Sequence, residues 1–287
     1  MPSLTVEEAM ARAAAITVNS YDLDFDLTTG DRTFGSTSTI RFSAVADSTF
    51  LDVKPDELIS VTLNGAPVDV AGLEDGRLEL TGLAAANELV VVSKMAYSHD
   101  GEGMQRTVDA TDDRVYVYGL SSLESAPRYF ACFDQPDLKA PYRMTVRTPE
   151  DWIVLGNGAA TQTAPRQWEI AETKPLSTYF VTLVAGPYHL IRGEHDGIPL
   201  GLACRQSLKE HLDRDAEDLF KVTGQSFDEY HRLFGYRYPF GEYHQVFVPD
   251  FNLGAMENPG CVTFTDSLVF RSAVTEAERS TRARVVV

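Results

Sequence analysis

The chain has 287 residues, enough for about two domains at ~150 residues each, and 44% of them are hydrophobic, so a packed core is within reach. Its 25 basic and 42 acidic residues give a formal charge of −17. That balance excludes nucleic acid and anionic membrane surfaces as partners, because both require a basic patch. It suits a cationic ligand such as a free peptide N-terminus, and it also serves plain solubility.

Thr5-Val6-Glu7-Glu8 is a capping box and opens a short helix to about Ala15. Tyr21, Leu23, Phe25 and Leu27 then alternate with Asp22, Asp24 and Asp26, the period of a half-exposed strand. The aspartates do not form a calcium loop, which needs a Gly and a distal Glu at set positions. Short strands follow at 38–42, 50–53, 58–63, 77–80, 88–95, 115–118, 142–147, 168–172 and 178–185, with Asn64-Gly65 turning a tight hairpin. Turn residues recur every ~10 positions, the rhythm of an antiparallel sandwich or curved sheet.

The pattern changes after residue 205. Ser207-Leu208-Lys209-Glu210 reads as a second capping box. Leu212, Ala216, Leu219, Phe220, Thr223, Phe227, Tyr230 and Phe234 follow at helical spacing, and Gly235 stops the helix. A strand over 243–248, a loop and a strand over 262–265 come next, and Thr275-Glu276-Ala277-Glu278 caps a last helix. The expected division is a mainly β domain over 1–195 and an α+β segment over 196–287. The last helix runs into Val285-Val286-Val287 with no Gly, Asn or Pro after them, so it is expected to be interrupted in mid-course. On that view apolar faces such as Leu212, Leu219, Phe227 and the three valines face water, and the last third does not hold itself together.

Cys132, Cys204 and Cys261 are odd in number and far apart, which fits buried, reduced thiols rather than a disulfide framework. The N-terminus lacks a basic stretch followed by an apolar run, and no apolar run approaches ~18 residues, so a cytoplasmic protein outside the membrane is expected. The histidines at 99, 189, 195, 211, 231 and 244 include no i,i+4 pair of the kind a helical zinc site needs, so no metal ligand is assigned in this chain.

The run Gly254-Ala255-Met256-Glu257-Asn258, set in 247–260, resembles the exopeptidase signature of the zinc aminopeptidase N family. Residues 128–140, Arg-Tyr-Phe-Ala-Cys-Phe-Asp-Gln-Pro-Asp-Leu-Lys-Ala, resemble the family's second block, which lies where its β and catalytic domains meet, and 178–181 resemble the closing strand of its β domain. The resemblance implies a β domain followed by the first part of a thermolysin-like catalytic domain. It implies a metallo-aminopeptidase that removes N-terminal residues from peptides, acting as a monomer. The zinc ligands, in a His-Glu-x-x-His motif, are expected beyond Val287, so residues 1–287 alone are expected to be inactive.

Substrate then lies along Gly254 and Ala255 as an added strand, because small side chains admit another backbone. By the resemblance Glu257 binds the substrate α-ammonium, with Met256 and Asn258 beside it. A second amine-binding acid of the family aligns without gaps with Ser122, and with Glu124 if the loop is shorter. Two alternatives are an epoxide-hydrolysing relative and a non-catalytic homologue whose sheet is a binding scaffold.

Overall fold

Local cap and turn chemistry sets most of the element boundaries. The computed structural model describes residues 3–286; Val287, the last of the valine triplet, lies outside them. Thr5 caps α1 (Val6–Ala15) with both bonds of a capping box. The strands that follow are β1 (Ile16–Asp26), β2 (Thr33–Ala44), β3 (Ser48–Asp52), β4 (Glu57–Leu63), β5 (Ala66–Pro67), β6 (Arg77–Thr81) and β7 (Ala86–Ala96). Asn64 and Gly65 both have positive φ, 53° and 80°, which makes the tight turn between β4 and β5. Then come β8 (Gly103–Val108), β9 (Val115–Leu120), β10 (Tyr142–Arg147), β11 (Ile153–Gly156), β12 (Ala160–Ala164), β13 (Gln167–Ile170), β14 (Leu183–Gly186), β15 (His189–His195) and β16 (Ile198–Cys204). The chain ends in α2 (Lys209–Phe234), β17 (Tyr243–Val248), β18 (Ala255–Met256), β19 (Cys261–Thr265) and α3 (Glu276–Val286).

Two compact units result. The first comprises 1–105, 119–150 and 160–182, and the second 106–118, 151–159 and 183–287. The first is built on an eight-stranded sheet in the order β12-β13-β10-β1-β2-β7-β4-β5. Its pairings are antiparallel except β1 with β10. Tyr21, Phe25, Phe42, Tyr129, Phe130, Phe133 and Tyr142 are fully enclosed in its core. Residues 128–140 therefore serve packing first: the Cys132 and Asp52 backbones exchange two hydrogen bonds of 2.9 and 3.0 Å.

A buried polar knot joins α1 to this core. Arg12 donates to Asp52 at 2.6 Å, to Gln135 Oε1 at 3.0 Å and to the Asp134 carbonyl at 3.1 Å. The Asp134 carboxylate accepts from Thr178 through one oxygen, while Oδ2 is enclosed without a partner among the described residues. Burial pushes its carboxyl up to about 6, helped by Asp52 and opposed by Thr178, Arg12 and Lys54. A carboxyl whose folded pKa is raised stabilises the fold most below its unfolded value near 3.8 and loses that contribution as pH rises through about 6. Asp134→Asn should therefore flatten the stability of the first unit between about pH 4 and 6. The wild-type minus variant difference should change by on the order of 1–3 kcal/mol across that window. Denaturant titrations at several pH values check this, and parallel curves for the two proteins would contradict it.

The second unit holds a five-stranded sheet, β15-β16-β17-β19-β18. β16, β17 and β19 run parallel, with antiparallel β15 and β18 at the edges. α2 lies on one face, where Leu212, Ala216 and Leu219 meet Phe247, Val262, Phe264 and Val286. Gly235 ends α2 in the left-handed conformation with φ 61°. Mid-helix Gly224 is required by a close approach, since a Cβ there would stand 2.6 Å from the His195 ring.

Four expectations need correction. Ser207 does not cap α2, because its hydroxyl goes to the Asp109 carboxylate, and the helix starts after Leu208 without a side-chain cap. Residues 178–180 form a 3-10 turn, not the start of a strand, and β14 begins only at Leu183. The apolar stripe of α2 goes under cover only as far as Phe227, leaving Tyr230 and Phe234 exposed. Leu212, Leu219, Phe227 and Val286 are buried rather than wet, because β15 and β16 complete the sheet beneath α2.

Candidate functional site

β17 and β19 are neighbouring parallel strands, paired from His244 with Cys261 to Val248 with Thr265. The chain must return to the start of the sheet between them, and residues 249–260 make that return. Pro249, with no N–H, ends the β17 ladder, and Asp250 turns the chain at φ 52°. Tyr118 holds that turn by donating its hydroxyl to the Asp250 carbonyl at 3.2 Å, with its ring 5.9 Å from Phe251.

On the way back the chain forms β18. Ala255 pairs with Phe264 and Met256 with Thr263, and Thr265 N–H donates to the Gly254 carbonyl. β18 is last in the strand order, so among the described residues no strand of the sheet lies on its other side. A Cβ added at Gly254 would meet nothing within 4 Å. The outer backbone groups of β18 are therefore not taken up by another strand of the sheet among the described residues. Glu257 follows at once. It is exposed, and no side chain among the described residues pairs with its carboxylate.

The rest of the loop is held tightly. Asn258 is 1% exposed, and both atoms of its side-chain amide lack a partner among the described residues. The Pro259 carbonyl accepts from Asn157 Nδ2 at 2.9 Å. Gly260 N–H donates to the Tyr238 hydroxyl at 2.9 Å, and its carbonyl accepts from His244 N–H at 2.9 Å. Gly260 has φ 82°, and a Cβ there would stand 2.6 Å from the Asn157 carbonyl oxygen. Behind it the His244 ring bonds Glu242 at 3.0 Å and lies so close over Gly201 that a Cβ at 201 would overlap it.

The first unit carries the other sequence candidates. Glu124 has φ 73° and is partly buried, and its carbonyl accepts from Lys54 Nζ at 3.3 Å. Ser122 donates its N–H and hydroxyl to the Glu102 carboxylate at 2.9 and 2.6 Å. Glu102 escaped the sequence reading, although its place between two glycines of positive φ, Gly101 and Gly103, marks an acid on a tight turn. Nearby, Arg128 and Ser98 hold the Asp100 carboxyl down to about 2.

Among the described residues no group of three or more His, Cys, Asp or Glu is arranged to hold a metal ion. His189 and His195 on β15 bond Asp213 and Asp228 of α2 at 2.6 and 2.7 Å, so they tie the strand to the helix. All three cysteines are free and buried.

The sheet of the second unit thus has Gly254, Ala255 and Met256 at its edge, followed directly by exposed Glu257. Residues 17–180 match the Peptidase M1 N-terminal domain and residues 219–287 the Peptidase family M1 domain, so the chain belongs to peptidase family M1. It is 44% identical to aminopeptidase N of Streptomyces lividans over 295 aligned residues, covering 99% of this chain and 34% of that protein. It is 25% identical to leucyl aminopeptidase of Saccharolobus solfataricus over 290 residues, 95% of this chain and 34% of that one. Aminopeptidase N of Acetobacter pasteurianus is 30% identical over 150 residues, 50% of this chain and 41% of that protein. The chain thus spans about a third of the length of the first and second of these.

Proposed function

We propose that this chain supplies the substrate-strand and amine-recognition segment of a zinc aminopeptidase that removes N-terminal residues from peptides. The observation that carries the reading is the edge position of β18, running directly into exposed Glu257. A peptide pairing with β18 brings its backbone N–H and C=O groups to the open edge. Its α-amine, with a pKa of ~7.7–8.0, is largely protonated near neutrality. Glu257 then pairs with that ammonium and fixes the distance from the N-terminus at which the peptide is held. Glu124, in the first unit, is proposed as a second amine-binding acid on the family resemblance, with Ser122 as the gap-free alternative.

The described histidines do not form a zinc set, and those at 189, 195 and 244 already bond carboxylates. The ligands are assigned to the part of its relatives' length that this chain does not span. The role given to residues 3–286 is binding and orientation. No helix among them is long and apolar enough to cross a membrane. The buried free thiols support a reducing, cytoplasmic setting.

The test compares an alanyl chromogenic amide with its N-acetylated counterpart. The whole protein, at the length of its relatives, should cleave the free amine and spare the acetylated form, and residues 1–287 alone should show background rates. Equal turnover of both amides would overturn the aminopeptidase reading. Turnover by residues 1–287 above a metal-free control would show that they carry ligands assigned elsewhere.

A further inference from the structure

The loop after Glu257 is clamped from behind by a residue outside the signature. Tyr238 follows the Gly235 cap of α2, and its ring is wedged among Phe227, Phe240 and Tyr243 at centroid distances of 5.2, 5.6 and 5.7 Å. Three aromatic neighbours fix where its hydroxyl stands. That hydroxyl accepts the N–H of Gly260, whose carbonyl is bound on the other side by His244 N–H. The closing peptide of the loop is thus gripped at both polar groups, and Asn157 holds the preceding carbonyl. Between this grip and Glu257 lie only Asn258, which is buried, and Pro259, whose ring fixes φ. Little slack remains between the clamp and the carboxylate.

We propose that Tyr238 is a positioning residue for Glu257: its hydroxyl sets the loop that aims the carboxylate at the substrate ammonium. The inference rests on the aminopeptidase reading above. Burial raises the phenol pKa well above its ordinary value, so the hydroxyl stays neutral throughout the working range. Without it the buried Gly260 N–H has no acceptor, and the loop must move to find one. A shift of ~1 Å in a group that orients substrate can cost on the order of a hundredfold in rate.

Tyr238→Phe is the test, because it keeps the ring in its aromatic nest and removes one oxygen. In the whole protein it should lower kcat/KM for free-amine substrates by about ten- to a hundredfold. It should also collapse the preference for an amine-bearing inhibitor over its desamino analogue. A purely structural loss would weaken both inhibitors alike, and that result would overturn the proposal. The double variant with Glu257→Ala separates the two claims. If Tyr238 acts through Glu257, the second substitution adds little to the first. Full multiplicative loss in the double variant would reject the positioning role. If Glu257→Ala itself leaves free-amine turnover unchanged, the amine-recognition reading fails instead. Equal melting temperatures for Tyr238→Phe and wild type would exclude misfolding as the cause.

Discussion

Glu257→Ala is expected to lower kcat/KM for peptides with a free N-terminus by about thirtyfold or more. Truncating one member of a charge pair that substrate binding desolvates costs ~2–5 kcal/mol, and ~1.4 kcal/mol is a factor of ten. Glu257 is exposed before substrate arrives, so solvent screens part of the interaction and the lower end of the range applies. Its exposure and lack of partners among the described residues also mean that removal should leave stability unchanged. Steady-state kinetics and a melting curve on the same preparation check both halves. Unchanged turnover would remove the amine-binding role, and a large fall in melting temperature would show that Glu257 serves the fold.

The second large effect separates two glycines of the same loop. Gly260→Ala places a side chain at φ 82° and drives its Cβ to 2.6 Å from a backbone oxygen that cannot yield. Strain and overpacking together should destabilise the second unit by about 2–6 kcal/mol. Gly254→Ala meets nothing within 4 Å and should change stability by less than about 0.5 kcal/mol. With peptide lying along β18, a Cβ at 254 enters substrate space, so kcat/KM should fall while the melting curve stays in place. If Gly254→Ala were fully active, the edge of β18 would not be the surface on which peptide lies.

The parts of the fold that were legible in the sequence are those written in four-residue chemistry. The Thr5 capping box, the Asn64-Gly65 turn and the Gly235 stop each depend on neighbours along the chain, and each is present. The signature strand was legible because Gly254 to Asn258 is a specific run. The hairpin of β15 and β16 was missed even though Asp196-Gly197, at φ 50° and 74°, is a strong turn signal between the paired residues His195 and Ile198. That omission made α2 look unsupported.

Ser207 failed as a cap for the opposite reason: the partner that claims its hydroxyl, Asp109, is 98 residues away. The support of the candidate site was hidden in the same way. Asn157 reaches Pro259 across 102 residues, and Tyr238 reaches Gly260 across 22. No periodicity or motif encodes such pairings, which exist only once the sheet has formed.

The most direct measurement is a structure of the whole protein with a non-hydrolysable peptide analogue that bears a free amine. The analogue should pair by backbone hydrogen bonds with the outer edge of β18 and set its ammonium ~2.7–3.2 Å from the Glu257 carboxylate. An analogue bound with its amine away from Glu257, or with no backbone bond to residues 254–256, would contradict the role assigned to this strand and its carboxylate.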